Sequence, residues 1–308
     1  MTGHGGSGGD LEGTVSWRAL LAETQARLAS APVDQPAREA RWIVEEASGL
    51  EGAEWILGID APATVRGVAH LDHMVGRRTA GEPIQYVLGH WSFRTLDLLV
   101  DRRVLIPRPE TEQVVEVALQ ILDEVVAARG PGHRPLVADL GTGSGAIALA
   151  IAVERPNSQV WATDRSPDAL AVARANLAGI GMAGRRVRLA EGSWFEALPS
   201  DGRGALDLVI TNPPYVGAHE DLAPSVADWE PVEALVPGPT GLEAYDVLVR
   251  EAATWLAPGG AFVAEIGATQ GPSVQKRASE AGLSDVRIEG DHAGLPRVLV
   301  ARRPSSDP

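Results

Sequence analysis

Leu136-Val137-Ala138-Asp139-Leu140-Gly141-Thr142-Gly143-Ser144-Gly145-Ala146 is the stretch that decides the fold class. A short apolar strand runs into three glycines, and Ala146 to Val153 then reads as a helix. In an α/β protein this junction of strand, loop and helix is where a ligand binds. Glycine allows a tight turn and lets backbone N–H groups come close to a ligand, while the next helix points its N-terminus at the same place. The dinucleotide loop is Gly-x-Gly-x-x-Gly. Here the third glycine comes one residue earlier, and Asp139 stands two positions before the first. An acid there suits a cationic amine better than a pyrophosphate. The loop therefore favours S-adenosylmethionine over NAD, the bland alternative being a glycine turn with no ligand.

Downstream, Val160-Trp161-Ala162-Thr163-Asp164 is the next strand, and its last residue falls about 20 positions after the loop. An acid at that place can accept hydrogen bonds from ribose hydroxyls. Its bland reading is an N-cap for the helix near Pro167, a role that Ser166 could fill equally well. Ser193-Trp194-Phe195 follows the third strand, where an aromatic face could stack on an adenine or simply pack in the core. Leu206-Asp207-Leu208-Val209-Ile210 then runs into Thr211-Asn212-Pro213-Pro214-Tyr215. Two prolines stiffen this segment and remove two N–H donors. That leaves a rigid row of acceptors, the Asn212 side-chain oxygen and the Pro213 carbonyl, beside the flat face of Tyr215. Such a row suits a planar NH2 group, whose lone pair it would aim at a methyl donor by orientation and polarisation rather than by a strong base.

The rest of the chain supports an α/β reading. From Thr111 onward helices and strands alternate, which predicts a mostly parallel sheet covered by helices on both faces. Val114 to Val126 is helix-like, as are Pro167 to Leu177, Leu242 to Leu256 and Ser273 to Ala281. The part before it is different. Residues 15–81 read as a helical domain, with Trp17, Leu20, Leu21 and Leu28 on one face and Ala40, Ile43, Val44 and Ala47 on another, then a helix from Ala63 to Arg78. Residues 82–110 read as a β-hairpin linker, with strands at Tyr86-Val87-Leu88 and Leu96 to Val100 and a turn at Gly89-His90. Residues 1–14 are rich in glycine and serine and are expected to be a flexible tail, neither signal peptide nor anchor.

Composition narrows the chemistry. The 308 residues contain no cysteine, which excludes disulfides, thiolate metal sites, cysteine nucleophiles and cysteine-bound clusters. A reducing cytoplasm is compatible with this. The formal net charge of -14 disfavours a nucleic-acid partner, because phosphate binding depends on Lys and Arg. No apolar run of about 18 residues suggests a membrane span.

Taken together, these motifs resemble the PrmC/HemK family, the glutamine N5-methyltransferases of peptide chain release factors. The likeness runs from about Trp17 to Val300. Besides the loop and the Asn-Pro-Pro-Tyr segment, it is carried by Glu82-Pro83-Ile84-Gln85-Tyr86, Leu105-Ile106-Pro107-Arg108-Pro109-Glu110-Thr111-Glu112, Glu230-Pro231-Val232-Glu233-Ala234-Leu235, Gly241-Leu242-Glu243-Ala244-Tyr245 and Glu265-Ile266-Gly267. The resemblance implies a class I S-adenosylmethionine-dependent methyltransferase, Rossmann-like with a seven-stranded mostly parallel sheet over residues 111–303, behind a helical substrate-recognition domain. It implies that Gly141, Thr142, Gly143, Ser144, Gly145, Asp164, Trp194 and Asn212 meet the cofactor, which leaves as S-adenosylhomocysteine. Asn212, Pro213, Pro214 and Tyr215 would hold the substrate, with Asn212, Pro213 and Tyr215 catalytic and no metal. The family is often acidic where this chain has Ser193. The implied substrate is the glutamine of the Gly-Gly-Gln loop in class I release factors, a cytoplasmic partner, with no direct nucleic acid and no membrane. Alternatives are a ribosomal-protein glutamine methyltransferase and, further off, a nucleic-acid adenine N6-methyltransferase.

Overall fold

The computed structural model describes residues 14–291 and 293–305, so all but the last residue of the tail expected over residues 1–14, and the end of the polar stretch after Arg303, lie outside them. The chain divides into two compact units between Leu88 and Gly89.

The first unit is helical: α1 (Trp17–Ala29), α2 (Pro36–Ser48), α3 (Gly52–Gly58), α4 (Val65–Thr79) and α5 (Ile84–Leu88). Ser16 caps α1 and Thr64 caps α4, each accepting a backbone N–H of the first turn. Proline opens α2, and Gly49 ends it with a left-handed φ of 69°. Trp17, Leu20 and Leu28 of the first apolar face and Ala40, Ile43 and Val44 of the second are buried together with Leu71, Met74 and Val75. The short α3 has no counterpart in the expectations from sequence, for it buries only Trp55.

Tyr86-Val87-Leu88 is not a strand. It lies in α5, and the cause is Arg77. The guanidinium donates to the carbonyls of Tyr86 (2.7 Å) and Val87 (3.2 Å) while pairing with Glu82. Those are the carbonyls that a helix end leaves without partners. The Pro83 carbonyl accepts from Tyr86 and Val87 at the other end.

The hairpin of the second unit is therefore shifted towards the C-terminus, with β1 (His90–Phe93) paired to β2 (Leu96–Leu99) around Arg94-Thr95. Arg94 sits at φ 52°, which costs a non-glycine residue roughly 1–2 kcal/mol. Its backbone N–H donates to Glu112, and its guanidinium donates to Glu154 (2.5 and 2.7 Å) and Glu116 (3.0 Å). These partly buried ion pairs offset the strain and hold the turn against two helices.

The remaining elements are α6 (Pro109–Arg129), β3 (Leu136–Leu140), α7 (Ala146–Glu154), β4 (Gln159–Asp164), α8 (Pro167–Gly179), β5 (Val187–Glu191), β6 (Leu206–Thr211), α9 (Pro224–Ala227), α10 (Glu243–Trp255), β7 (Leu256–Glu265), α11 (Gly271–Glu280), β8 (Ser284–Gly290) and β9 (Pro296–Arg302). α6 starts five residues earlier than its apolar stripe suggests, because Pro109 has a pre-set helical φ and Glu110 and Glu112 favour a first turn.

The seven strands lie in the order β5-β4-β3-β6-β7-β9-β8. The first five of these pair in parallel, and β9 runs antiparallel to both neighbours. Alternate residues of β3 and β6 enter opposite cores. Val137, Leu208 and Ile210 join α6 and α7 on one face, whereas Ala138, Leu140 and Val209 join α10 and α11 on the other. Burial on both faces is why these strands read as unbroken apolar runs.

Candidate active site

From β3 the chain steps one way along the sheet, to β4 and β5; with β6 it resumes on the opposite side of β3. The crevice beyond the carboxyl ends of β3 and β6 is thus a topological switch point, where open α/β sheets bind ligands. The glycine loop leaves β3 and the Asn-Pro-Pro-Tyr segment leaves β6, so the two motifs are brought side by side. Thr211 Oγ1 donates to the Leu140 carbonyl at 2.6 Å and joins the two strand ends.

The loop is folded by its own backbone. Gly141 and Thr142 N–H both donate to the Thr163 carbonyl at 2.8 Å, and Gly145 N–H donates to Thr142 at 2.8 Å. Gly141 has φ 74° and faces the Trp194 ring, which a Cβ would meet at 3.2 Å. Only glycine satisfies both demands without strain. Asp164 braces the loop, accepting from Gly143 N–H and from Ser166 N–H at 2.9 Å each. The N-cap of α8 is Ser166, whose Oγ accepts from Ala169 N–H at 3.1 Å, so Asp164 is released from that duty.

Asp139 is wholly buried beneath the loop rather than open to a ligand's amine. Its Oδ2 accepts from Thr142 Oγ1 (2.6 Å) and from Ala148 N–H (3.1 Å), and its Oδ1 has no partner. Burial pushes its carboxyl up to about 7, and the neighbouring Asp164 charge adds to the rise against those two donations.

At the other motif, Asn212 Nδ2 donates to Thr111 Oγ1 (3.1 Å), which in turn donates to Glu265 Oε2 (2.6 Å). Tyr215 donates its hydroxyl to Glu265 Oε1 at 3.2 Å. Burial raises the Glu265 carboxyl, opposed by the Thr111 and Tyr215 hydroxyls and the Arg297 charge. Burial likewise pushes the Tyr215 phenol up, with the Glu265 charge adding to it. The Tyr215 carbonyl accepts from Gln270 Nε2 at 2.8 Å. Gly241, at φ 73°, passes so close that a Cβ there would lie 2.3 Å from that carbonyl oxygen. Glu230 fixes the segment before α6, taking Ile106 N–H at 3.1 Å and the Arg108 guanidinium.

Gly141, Thr142, Gly143, Ser144, Asp164, Trp194, Asn212 and Pro214 line one cavity of about 760 Å3, with Thr111 and Ser193 beside them. Gly145 lies behind the loop, near Leu149 and Ala173. Pro213 is buried, and Tyr215 is turned to Glu265. The lining fits S-adenosylmethionine: a flat indole, a carboxylate at a strand end and a glycine backbone share one volume of a size usual for small-molecule sites. Among the described residues no group of three or more His, Asp or Glu side chains is placed to hold a metal ion, and no helix is long and apolar enough to cross a membrane.

Thr111 and Glu265 were not singled out from sequence as site residues. Each stands inside a segment quoted above for its resemblance, and that was the only signal. Their contact spans 154 positions and is made by the fold.

Comparison with known proteins gives the following. A profile described as PrmC N-terminal domain matches residues 19–89, and one described as Methyltransferase small domain matches residues 112–228. A Cereibacter sphaeroides protein named release factor glutamine methyltransferase is 40% identical over 283 residues, covering 91% of this chain and 96% of its own. A protein of the same name from Moorella thermoacetica is 39% identical over 292 residues, covering 94% and 99%. Among solved structures, the hMettl16 catalytic domain in complex with MAT2A 3'UTR hairpin 6 gives a TM-score of 0.51 at 13% identity, over 68% of this chain and 77% of that one, a likeness of fold.

Proposed function

The chain belongs to the release factor glutamine methyltransferase family, and from that premise we propose that it moves a methyl group from S-adenosylmethionine to the side-chain amide nitrogen, N5, of the glutamine in the Gly-Gly-Gln loop of class I release factors. It is a protein-glutamine methyltransferase, and its seven-stranded unit has the class I methyltransferase fold. The observation that supports the reading best is that Asn212, its NH2 tied to Thr111, lines the same cavity as the glycine loop.

When bound, S-adenosylmethionine supplies a methyl group on a positively charged sulfur. Gly141 to Ser144 would hold it through backbone N–H groups, Asp164 would accept from its ribose hydroxyls, and Trp194 would cover its adenine. Asn212 and Pro213 act on the substrate. An amide nitrogen is a weak nucleophile, because its lone pair is shared with the carbonyl. Asn212 Oδ1 and the Pro213 carbonyl accept its two N–H bonds and so aim the lone pair into the cavity. Tyr215 holds the amide plane. Transfer would break the sulfur–methyl bond as the N–C bond forms, leaving a neutral thioether, and the nitrogen, made acidic, would pass one proton to water, so no strong base is demanded of the protein. Acceptors placed on a stiff Pro-Pro backbone need little rearrangement as positive charge develops on the nitrogen.

The helical unit serves to recognise the protein substrate, and the enzyme acts in the cytoplasm, where translation terminates. The test is incubation with labelled cofactor and a class I release factor. Label should enter the factor and vanish when its loop glutamine is changed to alanine. Label that persists in that variant, or that goes to a ribosomal protein instead, sinks the reading.

A further inference from the structure

An asparagine side chain has nearly the same shape with its oxygen and nitrogen exchanged, but the two ends are opposite in hydrogen bonding. A site that must accept N–H bonds fails if the NH2 end faces the substrate. Something has to set the direction.

We propose that Glu265 and Thr111 are positioning residues for methyl transfer, fixing the Asn212 amide with its oxygen towards the substrate. This rests on the methyltransferase reading of the cavity and extends it to residues that do not touch the reacting atoms. The argument follows the hydrogens. Glu265 is placed as an acceptor, because Thr111 and Tyr215 each turn a hydroxyl to one of its two carboxyl oxygens. It is 1% exposed, and its Oε2 lies 2.6 Å from Thr111 Oγ1. The single hydroxyl hydrogen of Thr111 therefore goes to Glu265. The Thr111 oxygen is left as an acceptor, and it takes the Asn212 Nδ2 at 3.1 Å. The Asn212 Oδ1 is then the end left for the cavity, which Asn212 and Thr111 both line. The other oxygen of the same carboxyl group accepts the Tyr215 hydroxyl, so both ends of Asn-Pro-Pro-Tyr refer to one buried side chain. Burying a carboxylate is costly, and well-packed apolar side chains often serve stability as well or better. A directional role accounts for its place here.

Thr111→Val keeps the shape and removes the hydroxyl, whereas Thr111→Ser keeps the hydroxyl. Both are compared with wild type for kcat and KM towards a class I release factor, for cofactor Kd by calorimetry, and for the Asn212 side-chain NH2 by NMR of asparagine-labelled protein, assigned by its loss in Asn212→Ala. Thr111→Val should lower kcat about 10- to 100-fold with cofactor Kd unchanged, as misplacement of a reacting group does. Its Asn212 NH2 signals should shift and exchange faster with water. Thr111→Ser should restore both readouts. A Thr111→Val protein with wild-type kcat, or with unchanged Asn212 NH2 signals, overturns the proposal. So does a Thr111→Ser protein as impaired as Thr111→Val, which would mean that packing alone matters. If Thr111→Val fails to fold, Glu265→Gln decides. It keeps the volume but puts a donor where only acceptors stood, so full kcat in that variant overturns the proposal. A wild-type protein that methylates no release factor sinks the functional reading instead, and that failure shows before any variant is made.

Discussion

Thr211 donates its hydroxyl to the carbonyl of Leu140 at 2.6 Å, so the strand that leads into Asn212 is tied to the strand that leads into the glycine loop. This bond adds to the parallel pairing of β3 with β6 and helps to hold the two motifs side by side. Thr211→Val keeps the shape and deletes the bond. It should cost about 1 kcal/mol in denaturant unfolding and lower kcat more than it changes cofactor affinity. An unchanged kcat would show that the sheet alone holds the register.

Asn212→Ala should leave cofactor Kd within a few-fold yet remove most methyl transfer, a loss of about 100-fold or more, as for other preorganised polar groups. Single-turnover assays and calorimetry measure the two quantities separately. Activity equal to wild type refutes the role of Asn212.

Asp164→Ala should act on the cofactor instead. The carboxylate faces the cavity and also receives the N–H groups of Gly143 and Ser166. Its loss removes the proposed ribose acceptor and loosens the loop. Cofactor Kd should rise about tenfold or more, since each 1.4 kcal/mol is a factor of ten. Calorimetry with unchanged Kd would count against the ribose contact.

Asp139 gives a pH signature. Its carboxyl holds a proton up to about 7 in the folded protein, against about 4 in an unfolded chain. Between those values the native state binds more protons, so this residue makes stability fall as pH rises from about 4 to about 7. Asp139→Asn keeps an acceptor for Thr142 and Ala148 and removes the titration. Its stability curve over that window should be flatter than that of wild type, as read from urea unfolding at several pH values. Parallel curves would mean that Asp139 is ionised throughout.

Gly241→Ala should be strongly destabilising. The new Cβ would meet the Tyr215 carbonyl oxygen at 2.3 Å, and φ is 73°. Overpacking of this kind costs roughly 1–3 kcal/mol or more, and relief requires Tyr215 to move. The thermal midpoint should fall, and methyl transfer should fall with it. A variant as stable as wild type would show that the 241 loop yields freely.

Legibility in the sequence followed the range of the interactions. The glycine loop and the Asn-Pro-Pro-Tyr segment were readable because their chemistry is local, and each follows an apolar strand that marks its place. Ser166 and Asp164 competed for one cap in the sequence, and only the hydrogen bonds separated them. Tyr86 to Leu88 misled because β-branched and aromatic residues favour strands when nothing else acts, whereas Arg77 supplied the helix with its C-terminal partners. Asp139 was legible as a member of the loop but not in its depth, since a strand buried on both faces has no alternation to read. Thr111 and Glu265 were hidden because their meaning lies in each other.

The span between those two residues bears on how the protein comes to life. Synthesis proceeds from the N-terminus, and domains generally fold as units. A nascent chain that has just released Tyr215 already contains every glycine of the loop and all of Asn-Pro-Pro-Tyr, yet Glu265 is still to be made. On the role proposed for Glu265, the direction of the Asn212 amide would be set only once β7 joins the sheet. Competence for transfer therefore arrives late, when the last parallel strand closes, and a prematurely ended product would keep the motifs without the direction that makes them useful.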